Sequence, residues 1–162
     1  MKTRDHAAVK SLTNTVLKAT IITGILDALA AVTVYGIFHH YNPLQVYQFV
    51  ASGLLGSKAY AGGLPAALLG LLIHFGIAFV SSFLFIRFYP GRLLINSGHA
   101  VLAGLIYGLV IWAFMNLVVM PFAGMSFAGF DTVALLAVIW HMLLVGLPIA
   151  FIAAALGKSK GR

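Results

Sequence analysis

LPAALLGLLIHFGIAFVSSFLFIRFY, residues 64–89, carries no charged side chain between Leu64 and Ile86 and has one histidine, His74, at its centre. At ~1.5 Å per residue these ~23 helical residues reach ~34 Å, enough to cross a hydrocarbon core ~30 Å thick with some tilt. Segments of similar length and apolarity occupy residues 19–38, 99–120 and 132–156. The expected fold is therefore all-α: a polytopic membrane four-helix bundle with spans at about 19–38, 64–86, 99–120 and 132–156.

Composition supports this. Of the 162 residues, 62% are hydrophobic and 8% are charged, whereas a water-facing domain carries about 25% charged residues. The acids are Asp5, Asp27 and Asp131, against ten Lys and Arg, for a net +7. That surplus sits at the span ends, where membrane topology places it, so nucleic acid is not an expected partner; the lipid bilayer is. The absence of Cys excludes disulfides, thiolate metal sites and Cys nucleophiles.

Residues 1–18 form a basic lead-in that can continue helically into span one, and residues 157–162 form a basic tail. Ala28-Leu29-Ala30 resembles a signal-peptide cleavage site, but the apolar run continues to Phe38 with Asp27 in the approach, so an uncleaved span is expected. Residues 39–63 are too mixed to span. Asn42-Pro43 marks a helix start, and a short helix over 43–55 puts Gln45, Gln48 and Ser52 on one stripe. It is expected to lie in the interface or to dip in and return, with Tyr41, Tyr47 and Tyr60 at headgroup depth. Arg87, Pro90-Gly91 and Arg92 make a basic turn, Pro121 closes span three, Asp131-Thr132 caps span four, and Pro148 should kink it. With both termini cytoplasmic, nine Lys and Arg fall on that side and only Lys58 on the other, the positive-inside pattern of an even number of spans.

LLGLLIH (Leu68–His74) aligns with LLAVIWH (Leu135–His141), and GILDA (Gly24–Ala28) holds the place of GLIYG (Gly104–Gly108). That pattern suggests two related helix hairpins. Small residues recur at i+4 steps, including Ala66 and Gly70 in span two and Ala100, Gly104 and Gly108 in span three. Such stripes let helices approach closely, within the chain or, as a homo-oligomer, between copies; packing within the chain is the expected use.

Counted from the outer span ends, Asp27, His74 and His141 each lie ~15 Å deep, and Asn116 lies at ~7 Å. An aspartate at a helix centre costs ~2.5–3.5 kcal/mol on insertion scales. The nine Leu, Ile, Val and Phe of span one return only ~3–5 kcal/mol, so Asp27 needs a partner. These four residues are the candidate intramembrane polar site. Three readings follow: a register-fixing polar contact, proton or ion handling, and bis-His haem or another metal held between spans two and four. No cofactor is predicted, and too few ligands converge for a zinc site. Asn116 is expected to satisfy backbone groups near Pro121. Trp112 and Trp140 are expected to be packing residues, and His39-His40 solvated interface groups. No Ser–His–Asp spacing, phosphate-binding Gly loop or HExxH is present, and no catalytic residues are assigned.

GILDALAAVTVYG, NPLQVYQFVASGLLG with AYAGGL, LLIHFGIAF and WHMLLVGLPIAF together resemble bacterial four-helix inner-membrane proteins, YagU-like in broad outline. The resemblance implies a bacterial cytoplasmic membrane and four spans, and it brings no reaction. The expected function is that of a non-enzymatic accessory or structural membrane protein. The alternative is a proton- or ion-coupled transport element built on Asp27, His74 and His141.

Overall fold

In a computed structural model, described for residues 2–88, 97–125 and 129–160, every regular element is helical. Helix α1 (Lys2–His39) runs unbroken through the basic lead-in and span one. It stops where His40 takes a left-handed φ of 56°. Then come α2 (Pro43–Leu55), the one-turn α3 (Lys58–Ala61) and α4 (Gly63–Phe88). Helix α5 (Ser97–Phe114) passes through a π-helical turn, Met115–Val119, into α6 (Met120–Phe122). Helix α7 (Thr132–Trp140) passes through a second π turn, His141–Gly146, into α8 (Leu147–Lys160). Four helical segments are long and apolar enough to cross a membrane: Lys10–His39, Gly63–Phe88, His99–Phe122 and Thr132–Leu156. The turn expected at Pro90-Gly91 and Arg92, and Ser126 to Ala128 of the 122–131 link, lie outside the described residues.

The two π turns have one cause. Pro121 and Pro148 lack the N–H that the carbonyls of Leu117 and Leu144 would receive in an α-helix. Both carbonyls lie inside the π turns, where the widened ladder absorbs the defect. Pro121 therefore does not end its span, because the helix carries on through Phe122. The irregularity expected at Pro148 lies in the turn before it.

Helix α2 forms over the expected residues, and its polar stripe is turned toward the protein. Its capping box is present, with Gln45 N–H donating to Asn42 Oδ1 at 3.0 Å and Asn42 N–H donating to Gln45 Oε1 at 2.9 Å. Gln48 and Ser52 face the protein and are buried, while Leu44, Leu54 and Leu55 face outward. Gln48 Nε2 donates to the carbonyls of Tyr60 and Gly63 at 3.4 and 3.3 Å, tying α2 to the start of α4. The polar stripe secures backbone in the protein interior, and the greasy side faces out.

The small-residue stripes serve contacts within the chain. A Cβ at Gly70 would run into the Tyr47 carbonyl of α2. One at Gly104 would come within 2.9 Å of the Gly146 carbonyl, and one at Gly108 would strike the His141 carbonyl. Ala66 and Ala100 are buried at 4% and 1% exposure. At the end of the bundle holding the chain termini, Val16, Phe85, Ala100, Val145 and Ile149 form a packed core. The other half packs Trp112, Ala137 and Trp140 beside a hollow.

Candidate functional site

The hollow half is a cavity of about 720 Å³ between the four spans, roofed by α2. Helix α1 turns Thr23, Asp27, Ala31, Tyr35 and His39 into it at i+4 steps, with His39 at the exposed end and buried Thr23 at the other. Asp27 lies between His74 of α4 and His141 at the start of the second π turn. Its Oδ2 is 3.8 Å from His74 Nδ1, and its Oδ1 is 3.8 Å from His141 Nε2. These separations are within ion-pair reach but longer than hydrogen bonds. The structure thus brings together three of the four expected site residues. Asn116 lines the same cavity, but its Nδ2 donates to the Trp112 carbonyl at 2.9 Å, the backbone-satisfying role expected of it.

The hydrogen bond to Asp27 comes from a residue that sequence reasoning assigned to packing. Trp140 Nε1–H donates to Asp27 Oδ1 at 2.8 Å. Its ring stacks on His141 with centroids 5.5 Å apart. Trp140 is indeed buried, yet it also anchors the carboxylate. The one signal in the chain was its position immediately before His141 at matched depth.

The outer nitrogen of each imidazole is committed to a backbone carbonyl. His74 Nε2 lies 2.9 Å from the Gly24 carbonyl, and His141 Nδ1 lies 2.7 Å from the Ala137 carbonyl. A carbonyl only accepts, so each of those nitrogens carries a hydrogen. In the neutral rings the nitrogens facing Asp27 then hold bare lone pairs. An ionised carboxylate between two neutral rings places acceptors against acceptors on both sides. One added proton, on the carboxyl or on either ring, turns one of those contacts favourable. At ~4 Å and an effective dielectric of ~20, a charged imidazolium–carboxylate pair attracts by about 4 kcal/mol before desolvation is counted. On α2, burial first and the Asp27 charge second push the Tyr47 hydroxyl above its ordinary value.

The same geometry does not fit haem. The two nitrogens free to ligate iron both face Asp27, whose carboxylate fills the gap between them. Among the described residues no group of three or more His, Cys, Asp or Glu is placed to hold a metal ion.

Fold and site together define a multi-pass α-helical membrane protein with a titratable cluster inside its bundle. Comparison with known proteins finds no family model, curated protein or solved structure that matches the chain.

Proposed function

We propose that this chain is a proton-handling protein of a bacterial cytoplasmic membrane, with both termini inside, in which Asp27, His74 and His141 take up and release protons through the cavity. The observation that carries this reading is the commitment of both outer imidazole nitrogens to carbonyls, which leaves a carboxylate between two lone pairs. In that arrangement one added proton turns a contact between two acceptors into a favourable one, and intramembrane carboxylate and imidazole groups serve in proton relays. The packed core at the terminal end and the cavity at the α2 end give the cluster access from one side. A membrane carrier needs such asymmetry in each of its states. The nine-to-one distribution of Lys and Arg supports the orientation, and the YagU-like resemblance supports the bacterial membrane.

An accessory, structural role is the second reading, favoured by the Trp140–Asp27 hydrogen bond joining the first and last spans. Proteoliposomes carrying an internal pH dye separate the two. Under an imposed pH gradient the wild type is expected to collapse the gradient faster than Asp27→Asn. Equal rates at the protein-free background leave only the structural role.

A further inference from the structure

Charge is distributed around the cavity against the composition of the chain. The protein has three acids and ten Lys and Arg. Two of the three acids, Asp27 and Asp131, line this one cavity, and no described Lys or Arg does. Asp27 lies deep and Asp131 is exposed at the mouth. Between them the wall is apolar and aromatic. Tyr35 sits 5.9 Å from Phe49 and 6.3 Å from Tyr41, centroid to centroid, and His39 is 5.8 Å from Tyr41. Trp112 and Trp140 line the wall farther in, and Met115, Met120 and Met125 supply adaptable thioether surface. A volume of about 720 Å³ lies in the range of small-molecule sites, ~300–1,000 Å³.

We propose that the cavity binds a lipophilic organic cation, an amphipathic amine or quaternary onium ion, with its charge against Asp27 and its apolar groups among the aromatic and methionine side chains. An anion would find no Lys or Arg among the described residues of the wall and would meet the charge of Asp27. A neutral apolar molecule would gain nothing from the carboxylate. The cation gains from the carboxylate, from the aromatic side chains that line the wall, and from the apolar area it covers. Asp131 attracts it to the mouth. The inference rests on the proton-binding reading, because the cation and the proton neutralise the same carboxylate. Binding one expels the other, and the displaced proton leaves through the cavity to water. The titratable groups around Asp27 are His74 from α4, His141 from the π turn after α7, Tyr47 from α2 and, higher on its own helix, Tyr35 and His39, with Tyr41 and Asp131 toward the mouth; the π turn after α5 contributes the neutral Asn116.

Trp112 and Trp140 are the only two tryptophans of the chain, and both line the cavity, so intrinsic fluorescence reports directly on occupancy. Purified full-length protein in detergent is titrated with tetraphenylphosphonium in weak buffer, following fluorescence and bulk pH together. Saturable quenching with release of about one proton per cation is expected at a pH where the cluster is protonated. Asp27→Asn should weaken binding by about tenfold or more and abolish proton release. Asp131→Asn preserves the helix cap, because Asn caps as well as Asp. It should weaken binding by about threefold at low salt and by less at high salt. Because it keeps the cap, that variant serves as the test if Asp27→Asn fails to fold. Triphenylphosphine oxide, neutral and of similar shape, should bind far more weakly. Equal binding of the neutral probe, or cation binding unaffected by either substitution, overturns the proposal. If fluorescence titrates with pH through Asp27 while the cation has no effect, the cation site falls and the proton-binding reading stands. If neither responds, both fall.

Discussion

Asp27 and Trp140, 113 positions apart, meet through one hydrogen bond of 2.8 Å that joins the first span to the last. The donor and the acceptor sit on different helices, so the bond ties those helices together. It fixes the carboxylate rotamer that sets both oxygens between the two imidazoles. Trp140→Phe removes the donor together with part of a buried ring, so its own loss includes a packing cost. The coupling between Trp140 and Asp27 is expected to be ~0.6–2 kcal/mol, the measured span for polar contacts between membrane helices. Thermal melts of the single variants and of the double variant with Asp27→Asn test this, since the two losses should be less than additive. Full additivity would mean that the two side chains do not interact.

The glycine contacts give a graded prediction. Gly108→Ala and Gly146→Ala force a methyl group into backbone of the facing helix, which cannot move aside as a flexible side chain could. Loss of folded protein in detergent, or destabilisation by ~1–3 kcal/mol or more, is expected for both. Gly76→Ala meets nothing within 4 Å and should melt like the wild type. Gly24→Ala falls between, because the obstacle is the Phe75 ring, which can rotate. A melting series that ignores this order would contradict the helix packing.

Much of this architecture was legible in the sequence because a membrane imposes few solutions. Length and apolarity fix the spans, and a depth count brought Asp27, His74 and His141 into one layer, where they meet. What stayed hidden depends on which way a side chain turns about its helix. The stripe of Gln48 and Ser52 was legible, but not its facing: it turns inward, where Gln48 donates to the carbonyls of Tyr60 and Gly63. Trp140 reads as bulk, since its place before His141 gives its depth but not the direction of its indole N–H. The prolines announced irregular helix, but spacing could not say that the defect would spread into π turns before them.

Ser82 is fully buried, and its hydroxyl has no hydrogen-bond partner among the described residues. A buried hydroxyl without a partner loses its solvation and recovers nothing. Ser82→Ala is therefore expected to leave the melting temperature unchanged or raise it, which is unusual for a substitution at a core position. A clear drop would show that the hydroxyl makes a contact in the membrane-embedded protein.

The last prediction separates holding a shape from holding a proton. Gln places its amide nitrogen where His carries Nε2, and Asn places its own where His carries Nδ1. His74→Gln can therefore still donate to the Gly24 carbonyl, and His141→Asn can still donate to the Ala137 carbonyl. Both variants should fold and melt near the wild type, yet neither has a ring nitrogen to share a proton with Asp27. The exchanged pair, His74→Asn and His141→Gln, cannot reach the carbonyls and should lose stability as well. Infrared difference spectra across a pH titration, with Asp27→Asn to assign the carboxylic C=O band, read the proton itself. In His74→Gln and His141→Asn that band is expected to titrate at a different pH from the wild type, because one lone pair facing the carboxyl has gone. If it titrates identically in the wild type and both variants, the imidazoles do not share the proton of Asp27. The cluster would then be only a point of helix contact.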